Sequence, residues 1–298
     1  MEGDTVSVKI ITDSASDLPV ELIATYDIEV VPLLVYLGEK EYVDGETIKP
    51  KELYANMRAK QVYKTAQAPI AKFVEVFKKY AAEKRDCIYV GFSSGLSGTF
   101  TSATLAKEEV LREYPDFTVD LYDTKCASMG FGLVVLKAAQ LAKAGKGQGE
   151  IGEAVKFYAG HMEHIFTVDN LEYLFRGGRV SRTAAVVGEL LNVKPILNVE
   201  DGKLAPLEKV RGSKKLFPRM VQIIKERGLS LAEQTIGISH GDDLAAVEEL
   251  KEIIRKELGC EKFIVSMVGC TIGSHSGPGT LAVFFLNDKD PYKKETDI

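Results

Sequence analysis

Strands that stay apolar from end to end, each followed by a stretch with helical spacing, constrain this chain more than any other feature. Residues 6–12, 28–37, 87–92 and 117–122 are β-branched or aromatic runs. Helical patterns lie between them, one starting at Pro19 and others at 51–59, 70–84 and 99–113. In the pattern at 70–84, Phe73, Val76, Phe77 and Tyr80 fall on one face and form an inward stripe. A strand with no polar side must be covered on both faces, which is the signature of a parallel sheet flanked by helices. The first half is therefore predicted to be a three-layer α/β domain.

The pattern changes near the glycine-rich stretch 144–152, read as a helix–helix connection close to a domain boundary. Beyond it, strands are predicted at 165–168, 195–199, 204–210, 235–239, 262–267 and 280–285, with helices from Asn170 to Arg176 and at 214–226 and 242–257. Asp201-Gly202 between two strands is a strong hairpin signal, so this second unit holds at least one antiparallel pair. A chain of 298 residues has room for two medium domains. They are placed at 1–160 and 161–298, the second smaller and with a mixed sheet, and a ligand is expected in the cleft between or within them.

Composition enters by exclusion. At 45% hydrophobic and 27% charged, the chain is neither disordered nor fibrous. Its 38 Lys and Arg against 43 Asp and Glu give a net charge of -5, which disfavours nucleic acid as a partner. Lys137 and Lys143 interrupt the most apolar stretch, so no membrane span is expected. Cys87, Cys126, Cys260 and Cys270 are scattered without zinc spacing, and the N-terminus lacks a signal-peptide layout. These features predict a cytoplasmic protein without a metal or other cofactor.

Three polar turns sit where strands should end, the place at which α/β sheets collect ligands. Asp13-Ser14-Ala15-Ser16-Asp17 reads equally as a helix-capping cluster or as a site. Ser93-Ser94-Gly95-Leu96-Ser97-Gly98-Thr99 offers hydroxyls and free N–H groups ahead of a helix, a setting suited to an anionic group. It lacks the Lys of a phosphate-binding loop, and its short match to a nucleophile elbow is weak. Gly273-Ser274-His275-Ser276-Gly277-Pro278-Gly279 is read as a third turn, with His275 placed where packing cannot account for it. His161 and His164, at helical i, i+3 spacing without a completing acid cluster, are read as surface or helix-end residues. His240 follows a strand and could line a cleft. Two basic turns, Arg176-Gly177-Gly178-Arg179 and Lys209-Val210-Arg211-Gly212, suit either an anionic contact or a solvated helix end.

Taken in order, these motifs resemble the DegV family of bacterial proteins. The resemblance rests on Ile11-Thr12-Asp13-Ser14-Ala15-Ser16-Asp17-Leu18-Pro19, Lys64-Thr65-Ala66-Gln67, the Ser93–Thr99 turn, both arginine turns and the Gly273–Gly279 segment. It implies binding of a long-chain fatty acid and a role as the acyl-carrying subunit of fatty acid kinase, whose separate ATP-binding subunit phosphorylates the carboxylate. Carried over by motif, the carboxylate ligands are Thr65, Ser97 and His275. Ser94, Arg176, Arg179 and Arg211 are secondary candidates, the arginines meeting either the partner or the acyl phosphate. Transient contact with a membrane surface fits the same role. The chain departs from the family at Ala66, Ala68-Pro69 and Phe100, which touches neighbouring contacts and pocket shape rather than Thr65.

The physics agrees in kind: a carboxylate leaving water needs several donors, and two hydroxyls with an imidazole supply them without a buried arginine. Two other classes compete. A serine hydrolase acting on a lipid or ester would use Ser94 or Ser97 with His275, but no third-member acid is identifiable. A phosphotransferase acting alone, suggested by the family's remote likeness to dihydroxyacetone-kinase substrate domains, lacks a nucleotide loop.

Overall fold

A computed structural model describes residues 7–181 and 193–293 of the chain. Val6, the first residue of the first expected strand, and 294–298 of the charged tail lie outside the described residues. In chain order the first half holds β1 (Lys9–Asp13), α1 (Val20–Thr25), β2 (Glu29–Val31), β3 (Leu34–Leu37), β4 (Lys40–Val43), α2 (Pro50–Arg58) and β5 (Tyr63–Ala66). There follow α3 (Ile70–Ala82), β6 (Cys87–Gly91), α4 (Thr99–Glu113), β7 (Val119–Asp123), α5 (Ser128–Lys143) and α6 (Gln148–His161). The second half adds β8 (Met162–Thr167), α7 (Glu172–Arg176), β9 (Val193–Glu200), β10 (Lys203–Arg211) and α8 (Leu216–Arg227). It ends with β11 (Thr235–His240), α9 (Leu244–Leu258), β12 (Lys262–Met267), α10 (Cys270–Ser276) and β13 (Leu281–Leu286).

The first sheet has the order β2-β1-β6-β7 and is parallel throughout. Every residue of β1 and β6 is buried, as unbroken apolar strands require. Phe73, Phe77 and Tyr80 of α3 pack into the same core, with Val76 partly buried beside them. The six-stranded sheet, β10-β9-β8-β13-β11-β12, is antiparallel except for the β11–β12 pair. Its Asp201-Gly202 turn has φ of 47° and 77°, the pair of left-handed residues that a tight hairpin needs. Helix α5 packs on β1 of the first sheet and on β8, β11 and β13 of the other. It is buried nearly all round, the state of a helix between two layers. Even Lys137 is enclosed, its ammonium 3.3 Å from Asp290.

Alternation along β13 divides the interior. Leu281, Val283 and Phe285 face the core formed with α8 and α9, whereas Ala282 and Phe284 face the core shared with α5. That second face forms part of the wall of the site.

Three expectations are corrected. The single strand at 28–37 is two strands in different sheets: β2 pairs with β1, and β3 pairs antiparallel with β4 and β5. Pro32 falls between them, where a residue without an N–H cannot continue a ladder. The resulting three-stranded sheet was not expected, because β4 and β5 are short and carry charged, exposed positions. The Gly273–Gly279 turn is mostly helix, α10, followed by Gly277 and Gly279 at φ of 81° and 78°. Finally, His161 and His164 do not share a helix: His161 ends α6, and His164 is buried within β8.

Candidate functional site

Thr65, Ser97 and His275 come from β5, the loop before α4, and α10, and all three line one cavity of about 420 Å³. Thr65 Oγ1 lies 2.7 Å from His275 Nε2. Ser97 Oγ is 2.9 Å from Thr99 Oγ1 and accepts the Thr99 N–H at 3.2 Å, which ties it to the first turn of α4. Its loop is anchored from behind by Ser93, whose hydroxyl donates to the Gly202 carbonyl in the β9–β10 turn at 2.7 Å. Two glycines make room: a Cβ at Gly177 would strike the His275 ring, and one at Gly98 would strike the Gln67 amide. Burial, with the nearby Arg179 charge added, pulls His275 down to about 4, so its imidazole is neutral near neutral pH.

The secondary candidates separate. Arg179 is part of the cavity wall, with Nε and Nη2 donating to the Leu96 carbonyl at 3.2 and 2.8 Å. A guanidinium therefore stands beside the hydroxyl–imidazole group, where the sequence argument needed none. Arg176 is exposed and lies over the Tyr173 ring, and Arg211 is exposed on β10. Ser94 is exposed and accepts from Lys125 Nζ at 2.6 Å. None of these three lines the cavity. His240 is buried and accepts the Asp243 N–H at 3.0 Å, also away from the cavity wall.

The rest of the wall is largely apolar and includes Leu33, Phe92, Leu96, Phe166, Ile272 and Phe284. Sequence reasoning missed its other polar members. His164 donates from Nδ1 to the Met162 carbonyl (3.1 Å) and accepts the Ala127 N–H on Nε2 (3.2 Å), a fully bonded neutral ring. Burial pulls it down to about 4. Ser128, Ser239, Thr271 and Ser276 also line the cavity. The one available signal was a small hydroxyl within an otherwise apolar strand, as at Ser239.

The Asp13–Asp17 turn does more than cap. Asp13 accepts from Ala15 N, but also from Tyr89 Oη at 2.7 Å and Phe92 N at 3.1 Å. Asp17 accepts from Ser128 Oγ and from Gly269 N at 2.9 Å. Asp44 accepts from Cys270 N, Thr271 N and Ser14 Oγ at 3.0, 3.1 and 3.0 Å. Carboxylates from the first half thus hold the start of α10, the helix that carries His275. Burial pushes Asp13 up to about 6 and Asp17 up to about 8.

Among the described residues, neither Ser94 nor Ser97 is hydrogen-bonded to His275, whose hydroxyl partner is Thr65. No group of three or more His, Cys, Asp or Glu among them could hold a metal ion. No helix among them is long and apolar enough to cross a membrane.

Fold and site together define a three-sheet α/β protein built round an apolar cavity with hydroxyls and an imidazole in its wall. The chain belongs to the DegV family: the model of that family, described as uncharacterised, matches residues 7–288. A DegV domain-containing protein of Clostridium perfringens is 41% identical over 286 residues, covering 95% of this chain and 98% of its relative. Among solved structures, a fatty-acid-binding DegV family protein from Thermus thermophilus superposes with a TM-score of 0.85 at 31% identity, covering 93% of this chain and 98% of that one. A Thermotoga maritima protein whose structure reveals fatty acid binding gives 0.82 at 31% identity, with 94% and 99% coverage.

Proposed function

We propose that this chain binds a long-chain fatty acid in the cavity, with the carboxylate held by Thr65, Ser97 and His275. The observation that carries the reading is the meeting of these three side chains in the wall of an apolar cavity, in a fold whose relatives bind fatty acids. The neutral His275 can hold a proton on Nε2 and donate it to Thr65. When a carboxylate arrives, the Nε2–H and the Thr65 hydroxyl turn onto its oxygens, and Ser97 adds a third donor. Arg179 contributes positive potential without closing the site. The tail supplies most of the affinity, at roughly 0.8 kcal/mol per buried methylene before ordering costs.

In this reading the units 1–160 and 161–298 enclose the ligand between them. The protein has no turnover of its own and presents the acid to a separate ATP-dependent kinase subunit that forms the acyl phosphate. Its setting is the cytoplasm, where four free, buried cysteines are at home, with transient visits to a membrane surface for loading. Mass spectrometry of lipid extracted from protein never stripped of ligand tests the binding. A stoichiometric long-chain acid is expected, and its absence overturns the reading. For the carrier role, acyl phosphate is expected only when ATP, this chain and the kinase subunit are combined.

A further inference from the structure

Helix α10 carries two hydroxyls into the cavity wall that no protein group satisfies. Thr271 Oγ1 and Ser276 Oγ are shielded from solvent and make no hydrogen bond to the protein, and each residue is only 4% exposed. Both line the cavity. A buried hydroxyl left unpaired costs about 1–3 kcal/mol, so two on one short helix point to an occupant that completes them. Ser276 adjoins His275 and falls to the carboxylate end of the ligand. Thr271 lies one turn earlier and belongs to different surroundings. Gly269, two residues before it, gives its N–H to one oxygen of Asp17 at 2.9 Å. The other oxygen of that carboxyl takes Ser128 Oγ, itself 2.9 Å from Ser239 Oγ. Ser128 and Ser239 are also in the cavity wall. Two lining hydroxyls are therefore linked to one buried acid, which also holds the backbone two residues before Thr271. None of these groups is cationic, so a ligand carboxylate buried there would lack a balancing charge, whereas a neutral hydroxyl can both donate and accept.

Resting on the fatty-acid reading above, the geometry points to a second polar subsite, formed by Thr271 with Ser128 and Ser239. It takes a hydroxyl on the acyl chain, so the preferred ligand is a hydroxylated long-chain fatty acid. A plain acyl chain leaves Thr271 unpaired; a chain hydroxyl at the matching carbon pairs with it.

The test is competition binding to delipidated protein, using octadecanoic acid and a set of octadecanoic acids bearing one hydroxyl at successive carbons. At least one isomer is expected to bind more tightly than the plain acid, by about fivefold for one net hydrogen bond. Thr271→Val keeps the shape and removes the hydroxyl, and should bring that ratio to about one; Thr271→Ser should restore it. If Thr271→Val folds poorly, Ser239→Ala reads the same ratio. The inference is overturned if no isomer outbinds the plain acid, or if the ratio survives Thr271→Val. Failure of octadecanoic acid itself to bind is a separate result, which overturns the fatty-acid reading beneath it.

Discussion

At the scale of single residues, the site is a set of donors with few other duties. Thr65, Ser97 and His275 bond to each other or to near neighbours and lie in the cavity wall. Alanine at any of the three should weaken fatty-acid binding by about 1–3 kcal/mol with little effect on folding. Ser94→Ala should change nothing, since its side chain meets Lys125 outside the cavity. Titration calorimetry of the four variants decides this, and a loss confined to Ser94→Ala would reverse the choice of serine. His164 makes a pH prediction. Its folded value of about 4 lies below the ordinary 6.5. Its contribution to stability is therefore complete above 6.5 and disappears as pH falls through 4. Asp17, raised to about 8 from 3.8, works the other way, contributing at low pH and losing its effect as pH rises through 8. The urea midpoint of the parent should fall relative to that of His164→Gln between pH 6.5 and 4. Parallel curves over that range would refute the assignment. Thr65 and His275 are placed by motif in the sequence, whereas the burial of His164 is invisible there because it depends on Phe284 and Ala127 across the sheet and on α5.

At the scale of elements, α10 is the instructive case. Ser and Gly are poor helix formers, so the segment from Gly273 to Gly279 reads as a turn, yet α10 runs from Cys270 to Ser276. It becomes a helix because Asp44, more than two hundred residues earlier, accepts its first two N–H groups, Asp17 accepts that of Gly269, and Tyr54 donates to the Val268 carbonyl at 3.1 Å. Asp44→Ala would strand three donors, those of Cys270, Thr271 and Ser14. A loss of about 2–4 kcal/mol in unfolding free energy is expected, with weaker fatty-acid binding because His275 loses its support. Asp44→Asn, which keeps an acceptor, should recover part of both. Chemical denaturation with ligand titration of the two variants checks this, and an Asp44→Ala protein as stable as the parent would sink it. The same principle explains the split of the 28–37 segment: local pattern shows a strand, but only the sheet it joins decides which strand.

At the scale of the whole molecule, the cavity exists because three sheets and α5 meet around it, while the exposed arginines sit elsewhere. Arg176 and Arg211 do not line the cavity. Arg176→Ala and Arg211→Ala should therefore leave fatty-acid affinity unchanged within about twofold, since neither reaches the ligand. If they form the kinase-facing surface, association with the ATP-binding subunit should weaken, and most clearly at low ionic strength, where exposed charges are least screened. Sedimentation of the mixed subunits at two salt concentrations reads this, and unchanged association would assign the arginines no such role.

By itself the sequence determined the α/β class, the parallel first sheet, the Asp201-Gly202 hairpin and the motifs bearing Thr65, Ser97 and His275. These are short-range quantities: side-chain alternation, helical spacing, turn chemistry and a run of letters are all written within a few residues. The tertiary structure alone decided the small antiparallel sheet, the helical state of α10, and the placement of Arg179, His164, Ser128, Ser239, Thr271 and Ser276 in the cavity wall. The reason is physical. Whether a polar side chain points into a cavity or out to water depends on contacts between residues far apart in the chain, and the burial that neutralises His164 and His275 arises only when those segments pack.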